Sequence, residues 1–191
     1  MSRRVPGRRS LVTGVSALML IPAVVLMPMS PAVAGTTVYK YDALRRVIMS
    51  TTDNFTVEGY AYDAAGNRVT AARMSVPPPT SGDSLLPGQG LVMNTSIRSP
   101  DGQYTLVMQT DGNLVVYGLS GATWSTGTWN LPSAQAVMQG DGNFVIYGPT
   151  GQTYWSSGTA GHPGAHLAMQ SDGNLVIYDS GGTPLWALSW Q

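Results

Sequence analysis

The sequence predicts an all-β protein, and three observations carry that prediction. The nine-residue pattern Q-x-D-x-N-x-V-x-Y occurs at residues 109–117, 139–147 and 170–178, with starts 30 and 31 residues apart. In each copy two apolar runs flank an Asp-Gly pair, the signal of a β-hairpin. From Asp83 to Gln191 the composition shifts to Gly-rich turns, alternating apolar residues and all five tryptophans, as expected of short strands at regular spacing.

Taken in chain order, residues 1–34 come first. Arg3, Arg4, Arg8 and Arg9 precede an apolar stretch through Leu18, Leu20, Ile21 and Val24 to Met27, and Ala32-Val33-Ala34 supplies an A-x-A cleavage pattern. This reads as a signal peptide, with a secreted, extracellular mature protein and no membrane span after cleavage. Arg8-Arg9-Ser10-Leu11-Val12 also fits a twin-arginine signal, so the bacterial-type export route stays open between the general secretory and twin-arginine systems. The chain has no cysteine, which excludes a disulfide framework and a lipidated-cysteine anchor.

Residues 35–74 carry two related units, Tyr41-Asp42-Ala43-Leu44-Arg45-Arg46-Val47 and Tyr62-Asp63-Ala64-Ala65-Gly66-Asn67-Arg68-Val69. They resemble YD repeats of the RHS type, the first lacking the family's glycine where Leu44 sits. Two such repeats cannot close a shell, because a repeat needs neighbours to bury its face. The segment is therefore expected to be a remnant, a small hairpin packed on something else, or partly disordered, with no activity of its own. Residues 75–82, with Pro77, Pro78 and Pro79 and no hydrophobic periodicity, read as a Pro-rich linker. The remaining domain is residues 83–191.

In the first copy of the repeat, Leu106 to Gln109 and Asn113 to Tyr117 flank Thr110-Asp111-Gly112. A three-residue loop ending in glycine suits a type I turn with a bulge, since its last position needs a positive φ. Gln109 then pairs with Asn113, and side-chain alternation sorts the residues into two faces. Leu106, Met108, Leu114 and Val116 fall on one, Gln109, Asn113, Val115 and Tyr117 on the other, with Asp111 at the turn. The same register turns Ala136, Met138, Phe144 and Ile146 inward in the second copy, and Leu167, Met169, Leu175 and Ile177 in the third. Their outward sets are Gln139, Asp141, Asn143, Val145 and Tyr147, then Gln170, Asp172, Asn174, Val176 and Tyr178. A two-residue loop would mix the two sets in every copy.

The outward set suits a carbohydrate. Asp accepts hydrogen bonds, Asn and Gln donate and accept, the Tyr hydroxyl does either, and Val offers an apolar patch to ring carbons. No histidine, cysteine, lysine or serine holds a fixed position in the repeat, so it offers no nucleophile, no metal set and no catalytic site. From Asp83 onward Arg98 stands alone against six aspartates, which argues against nucleic acid.

These residues are the signature of the bulb-type, monocot mannose-binding lectin family, which residues 83–191 resemble. Leu85-Leu86-Pro87-Gly88-Gln89-Gly90-Leu91 and the Trp-containing segments 122–128 and 153–159 are similar to it as well. The resemblance implies a β-prism II fold of three four-stranded antiparallel sheets with pseudo-threefold symmetry and one sugar site per sheet. It implies that the Gln, Asp, Asn and Tyr of each copy bond mannose hydroxyls while Val packs on the ring, with mannose-type glycans as partners and no cofactor. Many plant members have an intrachain disulfide, which this chain cannot form. Related lectins exchange C-terminal strands, so a homodimer through the C-terminal strand is left open.

Other features carry blander expectations. Each Asp-Gly-Asn triplet offers one carboxylate where calcium prefers six to eight oxygens, so a turn-forming role is expected. His162 and His166 enclose Pro163 and Gly164, which breaks the helix a metal pair would need, and a surface loop is expected there. Trp124, Trp155 and Trp186 recur once per repeat and are expected in the packed centre; Trp129 and Trp190 do not recur and are expected to be exposed or at an interface. The functional expectation is a secreted, metal-independent, multivalent lectin for mannose or mannose-containing glycans. The alternative is a lectin-like bacteriocin or a targeting protein associated with an RHS-type toxin, suggested by the YD units.

Overall fold

The computed structural model describes residues 37–52 and 54–190; the expected leader lies outside them. Among the described residues, sixteen strands form four antiparallel four-stranded sheets, with one short 3-10 turn at Leu188–Trp190. The chain is all-β as predicted, and three of the sheets form the β-prism II.

Each signature repeat supplies three consecutive strands of one sheet. In the first, β8 (Thr105–Met108), β9 (Leu114–Gly118) and β10 (Gly121–Ser125) are joined by β7 (Thr95–Arg98). The second sheet holds β11 (Gln135–Met138), β12 (Phe144–Tyr147) and β13 (Thr153–Ser156), and its fourth strand is the upstream β6 (Gly90–Val92). The third holds β14 (His166–Met169), β15 (Leu175–Tyr178) and β16 (Pro184–Ala187), completed by β5 (Ser84–Leu85). Upstream segments thus tie the last two sheets to the start of the domain. The C-terminal strand β16 pairs with β15 of its own chain.

Register follows the hairpin argument. Met108 faces Leu114 and Val107 faces Val115; Met138 faces Phe144 and Met169 faces Leu175 at the matching hairpins. All twelve residues assigned inward are 0–1% exposed. Beside β9, β12 and β15 the register slips once, and each slip leaves a tryptophan paired with an inward residue: Trp124 with Val116, Trp155 with Ile146, Trp186 with Ile177. The three indoles meet edge to face on the prism axis, with centroids 5.8–5.9 Å apart, the arrangement the aromatic quadrupole favours.

The fourth sheet is built by the YD units. β1 (Thr37–Tyr41) and β2 (Val47–Thr52) form one hairpin, β3 (Thr56–Tyr62) and β4 (Arg68–Ser75) another, in the order β1-β2-β3-β4. Each Asp is the clasp of its turn. Asp42 Oδ1 accepts from Leu44 N and Arg46 N at 2.9 Å, and Asp63 Oδ1 accepts from Asn67 N at 2.8 Å. The backbone amide of Arg46, with lesser help from its guanidinium and Leu44 N, holds the Asp42 carboxyl below its ordinary range. Tyr62 joins the two hairpins, donating its hydroxyl proton to Val47 O at 2.8 Å under the Arg46 guanidinium, 4.4 Å from the ring centre. One sequence expectation is corrected. The residue matching Gly66 (φ 86°) is Arg45 (φ 61°), not Leu44, because both donate their amide to the carbonyl of the YD aspartate.

The YD sheet packs on the prism. Met49, Val57 and Val76 bury against Val92, Met93 and Ala134, with Val137 at the margin, so the sheet covers the outer face of the β6–β11 half of the second prism sheet. Gly59 lies so close to Pro149 that no Cβ fits between them. In the Pro-rich stretch Val76 is buried, Pro77 O accepts from Gly90 N at 3.0 Å, and Thr80 Oγ1 accepts from Gln89 Nε2 at 2.9 Å. The segment lies along the prism surface.

Candidate functional site

Each copy of the signature forms one cluster at the hairpin end of its sheet. Gln109 N donates to Asn113 O at 2.9 Å and Gly112 N to Gln109 O at 3.2 Å, closing the three-residue loop, and the other two copies repeat both bonds. The last loop position has φ of 97° at Gly112, 92° at Gly142 and 87° at Gly173. It is also crowded: a Cβ would strike Leu131 O, His162 O and the Tyr104 ring respectively. Glycine is therefore required there for conformation and for space.

Three local bonds set the side chains. Asp111 Oδ1 accepts from Asn113 N at 2.9 Å, Asp141 Oδ1 from Asn143 N at 3.0 Å and Asp172 Oδ1 from Asn174 N at 2.9 Å, the turn-forming role expected of the triplets. Across the hairpin Nε2 of Gln109, Gln139 and Gln170 donates to the hydroxyl of Tyr117, Tyr147 and Tyr178, at 2.7 Å in every copy. Between these bonds Val115, Val145 and Val176 are only 2–3% exposed and form the floor.

The Asn side chain is fixed by residues that sequence reasoning passed over. Asn113 Oδ1 accepts from Thr128 N at 3.1 Å and Thr126 Oγ1 at 3.3 Å, while Thr128 Oγ1 donates to Gly112 O at 2.8 Å. Asn143 Oδ1 accepts from Ser157 Oγ, Gly158 N and Thr159 N at 3.0–3.2 Å, and Thr159 Oγ1 donates to Gly142 O at 2.6 Å. The signal was present in Thr126-Gly127-Thr128 and Ser157-Gly158-Thr159, each beginning two residues after a recurring tryptophan, Trp124 or Trp155. The third cluster departs from this scheme. Ser189 N donates to Asn174 Oδ1 at 3.0 Å, and Asn174 Nδ2 donates to Ser189 Oγ at 3.1 Å.

A second device holds the aspartate turns. Asp141 O accepts from Gly161 N and His162 N, both at 2.9 Å. Asp111 O accepts from Asn130 N at 3.0 Å, and the second donor is Lys40 Nζ of the YD sheet at 3.3 Å, which also reaches Leu131 O at 2.7 Å. Burial lowers the pKa of this ammonium, and the Asp111 charge opposes the shift. His162 lies in an exposed loop as expected, whereas His166 opens β14 and stacks on Tyr178 with centroids 5.8 Å apart. Among the described residues no group of three or more His, Cys, Asp or Glu could hold a metal, and no helix is long and apolar enough to cross a membrane.

The hydrogen-bonding capacity left over is alike in the three clusters, except that Asn174 has already given one Nδ2 proton to Ser189 Oγ. With Oδ1 engaged, Asp keeps Oδ2 as an acceptor; Asn keeps an Nδ2 proton; Gln keeps Oε1 and one Nε2 proton; Tyr, accepting from Gln, keeps its own proton to donate. Donors and acceptors therefore interleave above an apolar floor.

No protein-family profile matches the chain, and no curated protein matches it. Among solved structures, a lectin from Marasmius oreades is 29% identical, covering 59% of this chain and 93% of its own with a TM-score of 0.54. A monomeric monocot mannose-binding lectin from Gastrodia elata is 37% identical, covering 55% of this chain and 94% of its own with a TM-score of 0.51. By that identity over nearly the whole of such a lectin, joined to the three-sheet prism, the chain belongs to the monocot mannose-binding lectin family and is a carbohydrate-binding protein rather than an enzyme.

Proposed function

We propose that this protein is an exported, metal-independent lectin that binds mannose or mannose-containing glycans at up to three sites. These are Gln109, Asp111, Asn113, Val115 and Tyr117 with their counterparts in the second and third repeats. The observation that carries the reading is that all three copies present the same five side chains with the same Gln to Tyr bond at 2.7 Å. A pyranose hydroxyl donates one hydrogen bond and accepts up to two, so neighbouring hydroxyls call for the interleaved donors and acceptors described above. Export is supported by the basic and apolar leader and its A-x-A sequence before Gly35; N-terminal sequencing of the secreted protein would read the cleavage.

A shallow cluster of this size binds a monosaccharide weakly, with a Kd on the order of millimolar. Clustered glycans gain from several sites when the spacing permits simultaneous engagement. The test is a glycan array on the mature chain in chelator-containing buffer, with the triple variant Asn113→Asp, Asn143→Asp, Asn174→Asp beside it. The substitution keeps an oxygen for the internal bonds and removes the Nδ2 donor. The expected outcome is mannose-inhibited binding to mannosylated glycans that the triple variant loses by about tenfold or more, the effect of about 1.5 kcal/mol per lost polar contact. Equal binding by the two proteins would show that the sugar is held elsewhere.

A further inference from the structure

Trp129 is 60% exposed and occurs in one repeat only. Its neighbours on both sides are bonded to the first cluster: Thr128 N donates to Asn113 Oδ1 at 3.1 Å, and Asn130 N donates to Asp111 O at 3.0 Å. The second repeat fixes the correspondence, because Thr159 bonds Gly142 O as Thr128 bonds Gly112 O, and Gly161 N bonds Asp141 O as Asn130 N bonds Asp111 O. Asn130 (φ 64°) and Gly161 (φ 94°) share the same left-handed turn. The counterpart of Trp129 is therefore Ala160, also exposed. At the same place on the rim one site carries an indole and the other a methyl group.

Resting on the sugar-binding reading, we propose that Trp129 makes the first site an extended one, a platform for a second pyranose glycosidically linked to the one held by Gln109, Asp111, Asn113 and Tyr117. An exposed indole in a soluble protein offers a large apolar face at low conformational cost. The pyranose face presented by axial C–H bonds is its natural partner, because the ring hydroxyls point aside and stay hydrated while the carbons lose water contact. The loop bearing Trp129 is held before a ligand arrives, by Asn130 N and by Lys40 Nζ on Leu131 O, so little ordering cost falls on binding. The first site should thus prefer a disaccharide over a monosaccharide, and the second should show no such preference.

The experiment uses the full mature chain with single sites left active: Asn143→Asp with Asn174→Asp for the first site, Asn113→Asp with Asn174→Asp for the second. Affinities for methyl α-mannoside and an α-linked mannobiose are compared by calorimetry. The first-site protein is expected to favour the disaccharide by about fivefold. Adding Trp129→Ala should bring that ratio close to one, and Trp129→Tyr should restore most of it. Installing Ala160→Trp in the second-site protein should raise its ratio. A ratio unchanged by Trp129→Ala overturns the platform, as does a loss confined to sedimentation mass, which would make the indole a contact between copies. Absence of monosaccharide binding in both proteins would instead sink the sugar-binding reading itself.

Discussion

Asn113 shows how little of a side chain's work its identity reveals. It is 8% exposed, with its oxygen committed to Thr126 and Thr128, so only the Nδ2 edge faces outward. Outwardness was legible in the sequence, because alternation about a three-residue loop admits one register that keeps all twelve core positions apolar. The anchors were not legible, since Thr126 and Thr128 lie 13 and 15 residues away in sequence and meet Asn113 only through strand pairing. The turn glycines were legible for their positive φ, but their crowding against Leu131, His162 and Tyr104 was not. Gly142→Ala is expected to lower stability by about 2 kcal/mol, from strain at positive φ plus displacement of His162. A thermal melt checks this, and an unchanged Tm would mean that the loop has room the geometry denies it.

Among the elements, the YD sheet selects one of the outcomes its sequence left open, hairpins packed on something else. Two hairpins that could not bury a face by themselves use the outer face of β6 and β11 as their missing neighbour, and Val76 from the Pro-rich stretch enters the same apolar cluster. The two YD units allowed for a hairpin but not for the surface it covers, because that surface belongs to residues 90–93 and 134–137, themselves distant from each other in sequence. A chain beginning at Asp83 would expose Val92, Met93 and Val137 and lose the bonds from Gly90 and Gln89 to Pro77 and Thr80. It is expected to melt at least 5 °C below the chain beginning at Gly35, or to associate, since several buried apolar side chains at about 1–2 kcal/mol each are returned to water. Equal melting of two monomeric forms would show that the YD sheet contributes nothing to the prism.

On the scale of the whole molecule, threefold repetition explains the centre and its breakdown explains the rims. Trp124, Trp155 and Trp186 close the axis as one mutual edge-to-face set, which makes the three sheets equivalent in the core. The clusters above them are equivalent in signature and unequal in surroundings. The first has Trp129 and Lys40 beside it, the second has Ala160 and His162, and the third has Ser189 in place of the Thr and Ser pairs. The equal part was readable because it repeats. The unequal part comes from positions outside the nine-residue signature, of which Trp129 was visible in the sequence as a tryptophan that does not recur, whereas Lys40 is reached only through tertiary packing.

That three equivalent clusters bind a hexose is the central claim, and amide-resolved NMR tests it most directly. The mature chain, labelled with ¹⁵N and held in chelator, is titrated with methyl α-mannoside while the side-chain amide resonances of Asn and Gln are followed. The expected result is progressive shifts in Asn113, Asn143, Asn174, Gln109, Gln139 and Gln170, saturating in the millimolar range, with the remaining side-chain amides unmoved. Shifts confined to other residues, or none at mannose concentrations well above that range, would contradict it.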